Sequence, residues 1–138
     1  MVVFHGTSKA VASSIVGPPP SVDVNRGGGE LGRGFYVGNN ISLAASWAKG
    51  RHSKNGAVIQ FDIDNSEYIK LNIKTINRRR HVWYRWRSLL IRSLSNTYLF
   101  NCDVICAPFA EIDFSYQYKF ESQLAQDTIN NHSSKQVL

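Results

Sequence analysis

Apolar and polar positions along this chain fall into short blocks that read alternately as strand and helix. Residues 2–4 (Val-Val-Phe) are an apolar run at the very start, and the polar triplet His5-Gly6-Thr7 ends it. Thr7 or Ser8 can cap a helix reaching about Val16, because Val11, Ala12, Ile15 and Val16 recur at helical spacing; Gly17 and three consecutive prolines then stop it. Residues 21–33 read as a loop. A second strand at 35–37 passes through Gly38-Asn39-Asn40 into a helix with Ile41, Ala44, Ala45 and Ala48 on its inner face and Trp47 beside them. Small residues on that face let the helix lie close to a sheet. Residues 57–63 form the cleanest strand, in which Ala57, Ile59, Phe61 and Ile63 alternate with Val58, Gln60 and Asp62.

The second half is less regular. Residues 67–71 predict a short strand. Ile76, Val82, Trp86, Leu89, Leu90 and Leu94 recur at mixed three- and four-residue spacing, which predicts a helix over 75–95 with a strongly basic outer face. Residues 103–107 read as a buried strand ended by Pro108, and 116–120 (Tyr-Gln-Tyr-Lys-Phe) alternates like another. A last helix runs from Ser122 to about Asn131, and the polar tail from His132 is expected to fray. No repeat or low-complexity segment interrupts this pattern. It predicts one α+β domain over residues 1–138, with several short strands and three or four helices.

Composition adds a few bounds. A chain of 138 residues holds one real core and is too short for two. Sixteen Lys and Arg against ten Asp and Glu leave a net charge of +6, which favours an anionic partner: nucleic acid, a phosphorylated cofactor or an acidic protein. Cys102 and Cys106, four apart in an expected strand, would sit about 13 Å from each other at ~3.3 Å per residue, too far for a disulfide. They read as thiols in a reducing compartment, and no Cys or His pairs have zinc-ligand spacing, so no metal is expected. Neither an apolar run of about 18 residues nor a basic segment leading into an apolar one is present, so no membrane partner is expected.

Charge is distributed unevenly. Between Glu67 and Asp103 there is no acidic residue, while Lys74, Arg78, Arg79, Arg80, Arg85, Arg87 and Arg92 fall there among His81, Trp83, Tyr84 and Trp86. One reading is a solvated helix face over buried tryptophans. The favoured one is a nucleic-acid contact through Arg78, Arg79, Arg80, Arg85 and Arg87, since arginine planes and aromatic rings together neutralise phosphates and stack bases.

Five glycines (Gly27, Gly28, Gly29, Gly32 and Gly34) crowd into eight positions just before Phe35 and Tyr36. This loop spells neither a phosphate-binding Gly-Lys-Ser/Thr nor a Gly-x-Gly-x-x-Gly opening a helix. Beside Phe4-His5-Gly6-Thr7, however, Gly29-Glu30-Leu31-Gly32-Arg33-Gly34-Phe35-Tyr36-Val37 and the helical Ala44-Ala45-Ser46-Trp47-Ala48 resemble the ADP-ribosyltransferase superfamily. More narrowly, they are similar to its small bacterial toxin-type members, which use a His, a Tyr and a third polar residue on three strands. The resemblance covers the first 63 residues and returns at 117–125.

That resemblance implies a split mixed β-sheet gripping NAD as co-substrate, with no metal. His5 would hydrogen-bond a ribose hydroxyl, the Gly6 backbone would hold the nicotinamide carboxamide, and Tyr36 would stack on the nicotinamide ring. Thr7 and the glycine loop, with Gly32, Arg33, Gly34 and Phe35, would line the ribose and phosphate side. Breaking the nicotinamide–ribose bond leaves an oxocarbenium-like sugar, which fixed dipoles or a nearby negative charge stabilise. Many members place a glutamate at the third position. Here Gln117 aligns best, able to orient the ribose 2′-hydroxyl but not to supply charge; Glu121, on the same strand face beyond Phe120, and then Glu111 are the substitutes.

The expected function is a toxin-type mono-ADP-ribosyltransferase that moves ADP-ribose from NAD to a nucleic acid, RNA ahead of DNA, and releases nicotinamide. Modification of a protein side chain is the alternative within the enzyme class. A non-catalytic member binding nucleic acid or a partner protein is the alternative outside it. RNA 2′-phosphotransferase relatives share the His-Gly-Thr and NAD, but no second His and Arg set for an RNA 2′-phosphate is visible. By the same resemblance, an antitoxin or immunity protein accompanies the chain, and it acts in the cytoplasm of the producing or the targeted bacterial cell. Whether the chain is a whole protein or a module of a longer effector stays open.

Overall fold

The computed structural model describes residues 1–109 and 114–138. Strand β1 (Val2–Ser8) leads into helix α1 (Lys9–Val16), for which Ser8 is the cap: its hydroxyl accepts from the Val11 N–H at 3.2 Å. Gly17, at φ 75°, closes the helix in a backbone region that costs other residues steric strain. A long loop then reaches β2 (Phe35–Gly38) and α2 (Ile41–His52), which Asn40 caps. Next come β3 (Gly56–Ile63), the one-turn α3 (Asn65–Tyr68) and β4 (Ile73–Thr75). After α4 (Arg78–Leu90) and the one-turn α5 (Leu94–Thr97), the chain ends in β5 (Val104–Pro108), β6 (Tyr116–Phe120), α6 (Gln123–Asn131) and β7 (Ser133–Val137).

Among the described residues the strands make one seven-stranded mixed sheet in the order β4-β5-β6-β2-β1-β3-β7, with only β4 and β5 parallel. Pairing across it is uneven. All seven residues of β1 pair with β3, from Val2↔Asp62 to Ser8↔Gly56, whereas β1 meets β2 only at Phe4↔Gly38. The sheet therefore parts between β1 and β2, while His5 Nδ1, 2.6 Å from the Tyr36 carbonyl, spans the gap. One buried cluster centres on Val3, Ile59, Phe61, Phe120 and Ile129, and a second gathers Leu31, Ile76, Tyr84, Ile105 and Ala107 under α4.

Several expectations are corrected. β1 does not stop at Phe4, because β3 holds His5, Gly6 and Thr7 in the ladder. On α2 only Ala48 is fully buried, while Ile41, Ala45 and Trp47 are exposed, since the helix meets the sheet along Ala44 and Ala48. Gly6 permits this approach: a Cβ there would lie 2.2 Å from the Ala44 carbonyl oxygen. Residues 67–71 are not a strand; Asp64 caps a helical turn instead, its carboxylate accepting from the Ser66 N–H at 2.9 Å. The helix expected over 75–95 starts three residues late, because Thr75 belongs to β4, and breaks at Ile91. Cys106 lies in β5 but Cys102 precedes it, and both thiols are free. The tail is no frayed end, since β7 pairs with β3 from Ile63↔Ser133 to Ile59↔Val137. Among the described residues six α-helices stand where three or four were expected, the extra ones being the single turns α3 and α5.

Candidate functional site

A cleft of about 1030 Å³ opens where the sheet parts. That volume is at the upper end of the ~300–1,000 Å³ usual for small-molecule sites, room enough for an extended ligand. His5 and Gly6 from β1, Gly34 from the loop, Phe35 and Tyr36 from β2, and Gln117 from β6 all line it. The loop glycines Gly27, Gly28 and Gly29 form one side, and Trp47 and Arg51 of α2 another.

His5 is set for one task. Its ring packs on Phe35 at 4.3 Å between centroids, and its Nδ1 donates to the Tyr36 carbonyl, which can only accept. Burial lowers its pKa below the ordinary 6.5, and the Tyr36 carbonyl only partly opposes that. The imidazole is thus neutral at physiological pH, with Nε2 left as a lone pair for a ligand hydroxyl.

Tyr36 is committed in a complementary way. Its hydroxyl donates to the Gly32 carbonyl at 2.6 Å and accepts from the Leu31 N–H at 3.0 Å. Burial pushes the phenol far above its ordinary pKa, so it serves as neither base nor nucleophile. The ring is what Tyr36 offers to the cleft. Gly32 makes this possible at φ 96°, where a Cβ would also meet the Tyr98 carbonyl oxygen at 2.1 Å.

Gln117 joins two residues for which the sequence pattern suggests no role, Glu30 and His81. The Gln117 Nε2 lies 3.0 Å from His81 Nε2, which in turn is 2.7 Å from Glu30 Oε2. The other His81 nitrogen, Nδ1, is 2.6 Å from the Pro108 carbonyl. Arg85 Nε stands 3.6 Å from Glu30 Oε1. The hydrogen bond from His81 lowers the Glu30 pKa most; the charges of His81 and Arg85 and a bond from Gln117 add to it against the opposing effect of burial. Glu30 therefore lines the cleft as an ionised carboxylate. Its position inside the glycine stretch was the available signal, whereas His81 lay hidden in a run of arginines.

The remaining expected site residues fall elsewhere. Thr7 is buried in β1 opposite Ala57 and does not line the cleft, nor do Gly32 and Arg33, whose loop instead fixes Tyr36. Glu121 is sealed away: its Oε1 lies 2.7 Å from Lys119 Nζ, and the N–H groups of Phe100 and Asn101 donate to its two oxygens. Glu111 lies outside the described residues. Burial raises both cysteine pKa values, that of Cys102 to about 11, which leaves protonated thiols of little nucleophilicity.

Helix α4 is turned differently from its apolar pattern. His81 and Tyr84 point inward, while Trp83, Trp86, Leu89 and Leu90 are exposed. The tryptophans are not the buried face, because the inward positions are filled by the groups that hold Glu30 and build the second core cluster. Arg78, Arg79 and Arg80 lie exposed in the first turn. Arg85 and Arg87 are half-buried, the latter 4.2 Å from the Tyr98 ring and 5.1 Å from Trp83.

Among the described residues no group of three or more His, Cys, Asp or Glu is placed to hold a metal ion, and no helix is long and apolar enough to cross a membrane. No curated protein matches the chain. A family model described as "Protein of unknown function (DUF3990)" matches residues 1–136, and the chain belongs to that family.

Proposed function

We propose that this protein is an NAD-dependent mono-ADP-ribosyltransferase of toxin type, with the ADP-ribosyltransferase fold, which releases nicotinamide and modifies a nucleic acid, RNA ahead of DNA. One observation carries the reading: His5, Tyr36 and Gln117, from three different strands, line a single cleft at the parting of the sheet. The neutral imidazole offers a lone pair to a ribose hydroxyl. The immobilised Tyr36 ring offers a face to the nicotinamide, and Gly6 a backbone that a carboxamide can approach. Cleavage of the glycosidic bond then needs orientation and electrostatic support rather than a nucleophile of the protein's own.

Acceptor class is inferred from α4. Exposed Trp83 and Trp86 beside Arg78, Arg79 and Arg80 combine stacking surfaces with phosphate-neutralising charge, the pairing that single-stranded nucleic-acid sites use. A second reading, in which this face receives a protein, either as acceptor or as a neutralising antitoxin or immunity partner, is favoured by Leu89, Leu90 and Ile91, exposed on the same segment.

The test is incubation with labelled NAD and separate pools of RNA, DNA and protein. Label entering RNA supports the proposal, and label on protein alone supports the second reading. His5→Ala should abolish nicotinamide release with an unchanged circular dichroism spectrum. Retention of RNA by a wild-type chain that releases no nicotinamide would leave a binding module in place of the enzyme.

A further inference from the structure

We propose that Glu30 is a catalytic residue: it supplies, from the glycine loop, the negative charge that Gln117 cannot supply from β6. The inference rests on the ADP-ribosyltransferase reading and assigns its electrostatic component to one carboxylate.

Three observations carry it. First, among the described residues only Asp23 and Glu30 bring a carboxylate to the lining of the cleft. Asp23 is held 3.3 Å from the Arg26 guanidinium and adjoins Val24, whose N–H donates to Gln126 Oε1, so it lines the Gln126 side of the cleft. Glu30 belongs with the centre: through His81, 2.7 Å from its Oε2 and 3.0 Å from Gln117 Nε2, it shares a polar network with Gln117 of β6.

Second, Glu30 is held from behind. His81, 1% exposed, grips Oε2 while anchored to the Pro108 carbonyl, and Arg85 stands behind Oε1. The glutamate side chain itself keeps 42% of its surface accessible, so the carboxylate is oriented by α4 yet open toward the cleft. A preorganised charge of this kind needs no rearrangement as the transition state forms.

Third, the alternative carboxylate on the β6 side is spent. Glu121 is saturated by Lys119 and two backbone N–H groups in a dry site.

The step is balanced as follows. The bond between ribose C1′ and the nicotinamide nitrogen breaks, and its electron pair leaves with nicotinamide as a neutral base. Positive charge develops on C1′ and the ring oxygen, facing the Glu30 carboxylate. A lone pair of the acceptor forms the new bond to C1′, and the acceptor proton passes to solvent. Glu30 forms no covalent bond; His81 and Arg85 are positioning residues that keep it ionised and aimed.

Steady-state nicotinamide release from NAD, paired with calorimetric NAD binding, tests this. Glu30→Gln keeps an oxygen for His81 and removes the charge, so kcat should fall about 10²-fold or more while the dissociation constant for NAD moves by less than about threefold. Glu30→Ala should regain part of its rate on addition of formate, which a purely structural role would not allow. A Glu30→Gln chain with wild-type kcat, or one impaired only in NAD binding, overturns the assignment to Glu30 while leaving the transferase reading intact. A wild-type chain that neither binds nor cleaves NAD overturns both.

Discussion

Two polar clusters lie two residues apart along β6 and behave in opposite ways. At Gln117 the strand meets Glu30 and His81 at a cluster that opens into the cleft. At Lys119 it meets Glu121 in a cluster with no access to solvent: Lys119 is fully buried, its ammonium shared between the Glu121 carboxylate and the Leu31 carbonyl, with the Phe100 ring 5.0 Å away. Both contain a carboxylate and a basic group at 2.7 Å. What differs is solvent access, and that decides which carboxylate can meet a substrate and which one secures the packing of the 98–101 segment against the sheet.

The sharpest way to break this comparison is Glu121→Gln. Removing one partner of a buried pair leaves the Lys119 charge uncompensated, and burial already pulls the Lys119 pKa down, so the substitution should cost about 3–5 kcal/mol in denaturant unfolding. The fraction that still folds should release nicotinamide at the wild-type rate, whereas a fall in rate per folded molecule would return Glu121 to the site.

Tyr36→Phe comes next. It keeps the ring and strands the Leu31 N–H and the Gly32 carbonyl, for an expected loss of about 1–3 kcal/mol, with nicotinamide release largely retained. Complete loss of activity in a folded Tyr36→Phe chain would mean that the hydroxyl does chemistry, against its assignment as a tether.

A smaller effect is expected from pH. His5 has a folded pKa below its ordinary 6.5, so between those two values the unfolded chain binds more protons than the folded one. Stability should therefore be flat from neutral pH upward and decline as pH falls below about 6.5, whereas nicotinamide release, which follows the lowered pKa of folded His5, should hold at that pH and decline only in more acidic solution. Glu30, also lowered, should lose its charge only in more acidic solution, below the ordinary carboxylate range. A rate that rises on acidification would contradict a neutral His5.

Smallest in stability is Trp86→Ala on the exposed side of α4, within about 0.5 kcal/mol of wild type because the indole is 61% exposed. Its RNA retention in a filter assay should drop severalfold; unchanged retention would move the acceptor surface away from α4.

How legible all this was depends on whether the signal was local. The cap at Ser8 and the alternation of Ala57, Ile59, Phe61 and Ile63 announce themselves within a few residues and stand as the start of α1 and as β3, whereas the His5 triplet, expected to end the first strand, continues it because β3 pairs with it. The pairing of β7 with β3 could not be read from Ser-Ser-Lys-Gln-Val, because backbone hydrogen bonds on an open sheet edge do not require an apolar pattern. His81 is the instructive miss. Surrounded by Arg78, Arg79, Arg80 and Arg85, it looked like part of a solvated face, and only the packing of α4 against β5 and the glycine loop, 51 residues away in the case of Glu30, reveals it as buried. The periodicity of Trp86, Leu89 and Leu90 misled for the converse reason, since hydrophobic side chains at helical spacing need not be the ones a core receives.

The solitary Phe4↔Gly38 pairing leaves the flank of β1 beyond Phe4 without ladder pairs to β2. A sheet with such an unclaimed rung can accept a guest where the missing neighbour would have been. A small planar amide arriving at Gly6 would be greeted by the main chain much as one peptide greets the next, so that recognition there would be written in backbone geometry and would survive most changes of side chain around it.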